Sequence, residues 1–170
     1  MNEDIFKFEY PFNKELLFKV FNKIKGQNPL GNAYDYFKNN EDKITKKSLG
    51  FSVFHLKLQQ NQTPHLMEHI NCFLEWLDVL EHPSFEYLQL SPNTRLGWHA
   101  DDCLASINQI LTPSKAPIEF EQGTYHYTTA LLNVKNRHCV ENDAIERVLF
   151  RMSFRKVDFH QLKQKLEAAN

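Results

Sequence analysis

Short segments rich in β-branched and aromatic residues follow one another between residues 84 and 154, with Pro, Gly or Asn-Asp turns between them. They are SFEYLQL, RLGWHAD, CLASINQIL, APIEFE, TYHYTTALLNV, RHCVEN and ERVLFRMSF. The pattern predicts about seven or eight short strands in a sandwich or barrel.

The first half of the chain is expected to be richer in helices. IFKFEYPF has the alternation of a short strand, and NKELLFKVFNKIKG then repeats apolar residues at helical spacing, at Leu16, Val20 and Ile24. Asn13 is a suitable N-cap for this helix and Gly26 a suitable end. FSVFHLKL is a further strand candidate.

A second helix is predicted at TPHLMEHINCFLEWLDVL, which begins at Thr63 and Pro64. Its apolar stripe is Leu66, Ile70, Phe73, Leu77 and Leu80. The last segment, DFHQLKQKLEAAN, has the pattern of an amphipathic helix. We therefore expect one domain over residues 1–170, with helix-rich support at 1–82, a β core at about 84–155 and a C-terminal helix at about 158–168.

Charge and composition narrow the partners that the chain can have. The formal net charge is -1, so no overall field draws the protein to nucleic acid or to an anionic membrane. No apolar run approaches the roughly 20 residues that a spanning helix needs. The segment MNEDIFKFEY is acidic, and the cysteines, 3 in number, show no paired spacing. We expect a cytoplasmic protein with reduced thiols and a small-molecule or peptide substrate; its oligomeric state is not readable from the sequence.

GWHADD carries a histidine and an aspartate two positions apart on a predicted strand. Because side chains alternate along a strand, His99 and Asp101 are expected on one face, and Trp98 and Ala100 on the other. His138 lies on another predicted strand and can supply a third ligand. Two imidazoles and one carboxylate with open positions beside them are the ligand set of non-haem Fe(II) oxygenases.

A permanent cation follows at Arg147, nine residues beyond His138. If its strand pairs with the His138 strand, Arg147 lies deeper in the barrel than the metal, where a guanidinium fork suits the distal carboxylate of a 2-oxo acid. Arg151 and Ser153 share the Arg147 face by the strand period, and Arg151 is the rival anchor. Asn108 is a further residue that could contact the acid.

His99-x-Asp101, then His138, then Arg147 resemble the 2-oxoglutarate- and Fe(II)-dependent dioxygenases, over roughly residues 90 to 155. The resemblance implies a mainly β fold with flanking helices, built on a double-stranded β-helix (jelly-roll, cupin-like) core. It implies Fe(II), 2-oxoglutarate and O2 as cofactor and co-substrates, with His99, Asp101 and His138 as catalytic iron ligands. It also makes Arg147 the 2-oxoglutarate anchor, and succinate, carbon dioxide and a hydroxylated product the outcome.

The residues around His138 are similar to one branch of that superfamily, the aspartyl/asparaginyl β-hydroxylase-like and proline-hydroxylase-like proteins. The matching positions are Leu132, Asn133, His138, Val140 and Asn142. This resemblance favours an amino acid, or an amino-acid side chain in a peptide or protein, as substrate. GWHADD is also similar to alkylated-nucleobase demethylases, but the net charge does not supply the basic surface that phosphate contacts require.

Two other functions are also compatible with the sequence. HLMEH places His65, Glu68 and His69 in the order of an inverted zincin motif, which would make the protein a zinc hydrolase. A cupin-like barrel that binds a metal or a small acid without turnover would use the same ligands as the oxygenase. Turnover of 2-oxoglutarate separates this binding protein from an enzyme.

Overall fold

The computed structural model describes residues 3–25, 31–32, 51–55 and 64–169. Its helices are α1 (Lys14–Ile24), α2 (Pro64–Trp76) and α3 (Phe159–Ala169). Its strands are β1 (Ile5–Lys7), β2 (Gly31–Asn32), β3 (Phe51–His55), β4 (Ser84–Leu90), β5 (Arg95–His99), β6 (Ala105–Ile110), β7 (Ile118–Phe120), β8 (Gly123–Tyr125), β9 (Thr129–Leu132), β10 (His138–Glu141) and β11 (Arg147–Phe154). Thr63, Gly26 and the predicted strand beyond residue 55 lie outside the described residues.

The strands form two antiparallel sheets that face each other. The major sheet has seven strands in the order β1-β9-β6-β11-β4-β3-β2, and the minor sheet has four in the order β5-β10-β7-β8. From β4 to β11 the chain alternates between the two sheets, except that β7 and β8 form a hairpin within the minor sheet. This is the connectivity of a jelly roll. The fold is mainly β with flanking helices and a jelly-roll, cupin-like core, as predicted.

Strand β11 of the major sheet divides its side chains between two cores. On β11, Val148, Phe150, Met152 and Phe154 belong to the core shared with the helices, whereas Leu149 belongs to the core between the sheets. Arg147 and Arg151 alternate with the first set and therefore face the minor sheet. The strand is buried on both faces, so its sequence is a nearly continuous apolar run interrupted by two arginines on one face.

The helices cover the outer face of the major sheet. The Tyr87 hydroxyl of β4, in a side chain with no exposed surface, donates to the Leu17 carbonyl of α1 at 2.8 Å. Asn13 caps α1 as predicted, because its side chain accepts from the Leu16 amide at 2.9 Å. The buried residues of α1 are Leu17, Val20 and Phe21, so Leu16 and Ile24 of the predicted stripe lie at its margin.

The second helix ends earlier than its apolar pattern indicates. Leu66, Ile70, Phe73 and Leu77 are buried as predicted, but Leu80 is 96% exposed. The prediction for Leu80 was wrong because α2 ends at Trp76 and Asp78 takes a positive φ of 52°. The chain turns there, so residues beyond the turn no longer follow the helical period.

The C-terminal helix begins with a reciprocal cap. Asp158 Oδ1 accepts from the Gln161 amide at 2.9 Å, and the Gln161 side chain accepts from the Asp158 amide at 3.1 Å. Phe159, Leu162 and Leu166 are its buried residues. The helix thus confirms the amphipathic pattern predicted at about 158–168, displaced by one residue. No described helix combines the length and the apolar character needed to cross a membrane.

Two strand predictions differ from the structure. TYHYTTALLNV forms two strands, β8 in the minor sheet and β9 in the major sheet, because the chain crosses between the sheets within this segment. The expectation that the Arg147 strand pairs with the His138 strand was wrong: β11 pairs with β4 and β6, and β10 pairs with β5 and β7. Arg147 and His138 therefore lie on opposite sheets.

Candidate metal centre

A β-bulge at the end of β5 turns His99 into the space between the sheets. Leu96 pairs with Val140 and His99 pairs with His138, so β5 has one more residue than β10 between these two pairs. Under strict alternation Leu96 and His99 would point to opposite faces, yet both are buried. The extra residue, accommodated around Gly97 and Trp98, restores the direction of His99.

The two histidines are oriented alike by backbone carbonyls. Nδ1 of His99 lies 2.7 Å from the Gly97 carbonyl oxygen, and Nδ1 of His138 lies 2.9 Å from that of Asn136. A carbonyl oxygen only accepts, so Nδ1 carries the proton in each ring and Nε2 keeps its lone pair. Each Nε2 faces Asp101, at 3.6 Å from Oδ1 for His99 and 3.9 Å from Oδ2 for His138.

Asp101 follows β5 in a connection that the β9–β10 loop holds in place. Its amide donates to the Val134 carbonyl at 2.9 Å, and Lys135 Nζ donates to the Asp101 carbonyl at 3.3 Å and to the Asp102 carbonyl at 3.1 Å. Asp102 itself is exposed, whereas Asp101 is 7% exposed. The carboxylate of Asp101 is therefore directed inward by its backbone.

The charges of this cluster suit a cation. Burial alone would raise the pKa of Asp101, but Arg151, His138 and His99 together hold that pKa below its ordinary value. Burial, followed by the neighbouring His99, lowers the pKa of His138 to about 4. At neutral pH the site thus offers one carboxylate and a neutral imidazole with an available lone pair.

Three potential ligand atoms meet at this point. One each from His99, Asp101 and His138 lie within 4.8 Å of one another, and within the described part of the chain this is the group of three such residues that could hold a metal ion. Asp101 Oδ1 is buried and has no hydrogen-bond partner among the described residues. A buried carboxylate oxygen without a partner is costly unless a ligand occupies it. The donor set, two imidazole nitrogens and a carboxylate on one side, fits Fe(II).

Arg147 faces the metal ligands from the other wall of the cavity. It is 1% exposed; its Nη1 donates to the Ala116 carbonyl, and its guanidinium lies 5.5 Å from the centroid of the Tyr127 ring. Its Nε and Nη2 have no hydrogen-bond partner among the described residues. A buried guanidinium with two unsatisfied N–H groups has the donors that an anion would need.

Further polar atoms line the same cavity. Asn108 donates from Nδ2 to the Tyr127 hydroxyl at 3.3 Å, and its Oδ1 has no partner in the described structure. Ser106 lines the cavity and Ser153 lies opposite it in the β6–β11 register; both hydroxyls are buried without a partner in the described residues. The remaining walls are apolar side chains: Leu88, Leu90, Leu96, Ile118, Leu132, Val134, Val140 and Leu149. The cavity encloses about 560 Å³ of space, its mouth included.

The structure assigns Arg151 a contact that the sequence did not indicate. It lies on the Arg147 face, as expected of the rival anchor, but its Nη2 lies 2.5 Å from Asp101 Oδ2. Lys135 was also missed, since nothing in its sequence context marks it. Gly97 within a strand was an available signal, because a glycine there often marks a bulge.

The HLMEH residues on α2 do not assemble into a comparable cluster. The side chains of His65 and Glu68 are 85% and 77% exposed, with His65 Nδ1 4.0 Å from Glu68. His69 instead accepts a hydrogen bond at Nε2 from the Asn13 amide, at 3.0 Å. His69 therefore contributes to the packing of α2 against the start of α1.

The fold is shared with solved oxygenase structures. A prolyl-4-hydroxylase from Pseudomonas putida is similar with a TM-score of 0.55 and 14% identity, covering 90% of this chain and 92% of that chain. A viral collagen prolyl hydroxylase from Paramecium Bursaria Chlorella virus-1, solved as a 2OG complex, is similar with a TM-score of 0.54 and 9% identity, covering 89% of this chain and 96% of that chain. At these identities the likeness shows that the chain shares the fold of these two hydroxylases.

A Cupin 2 conserved barrel domain protein from Salinispora arenicola is similar over 69% of this chain and 84% of that chain, with 11% identity. Its TM-score is 0.42, which is too low to establish a shared fold. No protein-family model matches the chain, and no curated protein matches it by sequence.

Proposed function

We propose that the protein is a 2-oxoglutarate- and Fe(II)-dependent oxygenase that hydroxylates an amino acid or an amino-acid side chain in a peptide or protein. One observation carries the proposal: a His99–Asp101–His138 cluster and the buried, incompletely satisfied Arg147 face each other across one cavity. A metal site alone fits many proteins. A metal site opposite a buried guanidinium fits a co-substrate that chelates the metal at one end and carries a carboxylate at the other.

The chain's own residues have separate tasks in this reaction. His99 and His138 provide neutral Nε2 lone pairs, since the Gly97 and Asn136 carbonyls hold both rings in one tautomer. Asp101 provides the negative charge. Arg147 pairs with the distal carboxylate of 2-oxoglutarate, and the apolar side chains between the two ends pack against its methylene groups and exclude water.

Fe(II) held by His99, Asp101 and His138 would serve to activate O2, which is the oxidant. One oxygen atom would enter the substrate C–H bond and the other would enter succinate, while 2-oxoglutarate would supply two electrons and lose carbon dioxide. The substrate class rests on the similarity of the residues around His138 to the amino-acid hydroxylase branch. Two solved structures with this fold are prolyl hydroxylases, which supports an amino-acid side chain as the substrate.

An anaerobic titration of the apo protein with Fe(II), and then with 2-oxoglutarate, tests the proposal. We expect a visible metal-to-ligand charge-transfer band in the wild type, its loss in His138→Ala and a weaker band in Arg147→Ala. His160→Ala, which removes an exposed histidine at the start of α3, is the matched control and keeps the band. A wild-type protein that binds Fe(II) but develops no band with 2-oxoglutarate contradicts the proposal.

Succinate release then separates an oxygenase from a cupin-like binding protein. Free amino acids and short peptides are screened for substrate-dependent succinate formation at saturating Fe(II) and 2-oxoglutarate. An oxygenase couples succinate formation to substrate, whereas a binding protein develops the band without turnover.

A further inference from the structure

Arg151 and Asp101 form a buried ion pair beside the candidate metal ligands. Arg151 Nη2 lies 2.5 Å from Asp101 Oδ2 and 3.1 Å from Cys103 Sγ, and the two charged side chains are only 7% and 3% exposed. The other carboxylate oxygen, Oδ1, has no hydrogen-bond partner among the described residues and lies 3.6 Å from His99 Nε2. The two oxygens of Asp101 are therefore in different surroundings.

We infer that Arg151 is a positioning residue that reserves Asp101 Oδ2 for itself and leaves only Oδ1 for the metal. A carboxylate can bind a metal through one oxygen or through both. A short, charge-assisted hydrogen bond in a dry site is among the strongest that a side chain makes, so it competes with metal ligation at Oδ2. The consequence is that one more coordination position stays open for small molecules. This inference rests on the proposed function, because it concerns the same metal site.

The position of Arg151 supports a role separate from that of Arg147. The two residues are four positions apart on one face of β11, so their Cα atoms are about 13 Å apart. Arg147 contacts Ala116 and Tyr127, whereas Arg151 contacts Asp101 and Cys103. The Arg147 guanidinium keeps two N–H groups without a partner among the described residues, where it suits an anion. Arg151, the alternative 2-oxoglutarate anchor in the sequence analysis, thus positions the metal ligand Asp101 instead of binding the co-substrate.

Mn²⁺ is a suitable probe, because both its affinity and the exchange of its bound water can be measured without turnover. Mn²⁺ prefers an octahedron of donors, so a second oxygen from Asp101 would displace one bound water and lower the water-proton relaxation of the bound ion by about a third. We would compare the wild type with Arg151→Met, which removes the donor while keeping an extended side chain. Arg151→Lys keeps a donor and its charge. Arg155→Gln, which removes an exposed arginine just beyond β11, is the matched control.

We expect Arg151→Met to bind Mn²⁺ no more weakly than the wild type, because a second oxygen is freed and a nearby cation is lost, but with about a third less water relaxation. Arg151→Lys and Arg155→Gln should keep the wild-type relaxation. If Arg151→Met fails to fold, Arg151→Gln replaces it, with the same decrease in water relaxation expected. The Gln amide is too short to reach Asp101. Folding is checked by circular dichroism for every variant.

Two results would overturn the inference. One is wild-type water relaxation in a folded Arg151→Met or Arg151→Gln variant. The other is a loss of Mn²⁺ affinity of about 10- to 100-fold without any change in water relaxation, the effect of merely loosening a metal ligand. A wild-type protein that binds no Mn²⁺, Co²⁺ or Fe²⁺ is a different result: it refutes the proposed function, and with it the metal site.

Discussion

His99 and His138 lie directly opposite each other on β5 and β10, with their ring centroids 4.3 Å apart. The two imidazoles meet because of the pairing register between the strands, since neither strand alone carries both of them. The register includes a bulge, because the three-residue step from Leu96 to His99 faces a two-residue step on β10. The inward direction of His99 therefore depends on the bulge that absorbs the extra residue between Leu96 and His99.

Deletion of Gly97 tests this account of the bulge. Without the extra residue Leu96 and His99 are two positions apart, so strict alternation keeps both on the core face, opposite the two-residue step of β10. We therefore expect a folded protein whose Mn²⁺ affinity stays within about tenfold of the wild type, because all three candidate ligands remain on the cavity side. Gly97→Ala, which keeps the residue count at a position where φ is not positive, should retain the wild-type affinity. Isothermal titration measures both variants, and a loss of Mn²⁺ affinity well beyond about tenfold in the deletion variant alone contradicts this account of the bulge.

Metal binding is expected to stabilise the fold. A ligand that binds only the native state adds about 2.7 kcal/mol at a concentration 100 times its dissociation constant. Mn²⁺ should therefore raise the melting temperature of the wild type, and EDTA should reverse the increase. In His99→Ala the same addition should have little effect. An equal increase in both proteins would place the bound metal elsewhere.

Replacement of Arg147 should weaken 2-oxoglutarate binding without weakening metal binding. Hydrogen bonds to charged groups contribute about 1.5–3 kcal/mol, so Arg147→Ala is expected to raise the dissociation constant of 2-oxoglutarate by roughly 10- to 150-fold. Arg147→Lys keeps the charge but not the fork, and should give an intermediate value. The charge-transfer band, followed against 2-oxoglutarate concentration, measures each constant. A loss of Fe(II) affinity of the same size would mean that Arg147 supports the metal ligands instead.

Tyr87 should contribute to stability and not to activity. Its buried hydroxyl donates to the Leu17 carbonyl, and burial strongly raises the pKa of this phenol. Tyr87→Phe leaves the carbonyl oxygen without that donor, which costs about 1–3 kcal/mol of unfolding free energy. Urea denaturation measures the loss, and Mn²⁺ affinity serves as the control that the cavity is unchanged. A stability equal to that of the wild type would show that the hydrogen bond makes no net contribution.

Asp143 is expected to make part of the stability depend on pH. Its Oδ1 accepts from the Ile145 amide at 2.9 Å, and Oδ2 accepts from the Lys115 amide at 2.9 Å; these bonds, the Ile145 bond first, lower the pKa of the carboxyl group. A lowered folded-state pKa gives stability that is present above the unfolded value of about 3.9 and is lost as pH falls through the folded value.

Asp143→Ala should therefore be less stable than the wild type by about 1 kcal/mol at pH 7. The difference should narrow below about pH 4, as the wild-type carboxylate is protonated. Urea unfolding at several pH values measures both effects. A difference that does not change with pH would assign the loss to packing at this turn.

Local pattern was sufficient for most of the secondary structure and for the candidate ligands. Alternation, caps and turn residues predicted the strands from β4 onward, the start of α1 and the amphipathic α3, because these signals act over a few residues. His99, Asp101 and His138 could be selected because their residue types and order match a known chemistry. The stripe on α2 failed at Leu80, where a turn after Trp76 interrupts the period.

By itself the sequence determined that short strands follow one another, which side chains can bind a metal, and that two arginines share a face of β11. Only the tertiary structure decided that β11 joins β4 and β6, so that Arg147 faces His138 across a cavity. It also decided that Arg151 pairs with Asp101, 50 residues away. Strand pairing and buried ion pairs depend on contacts between distant residues, which are set by the burial of both sheet faces together rather than by any local pattern.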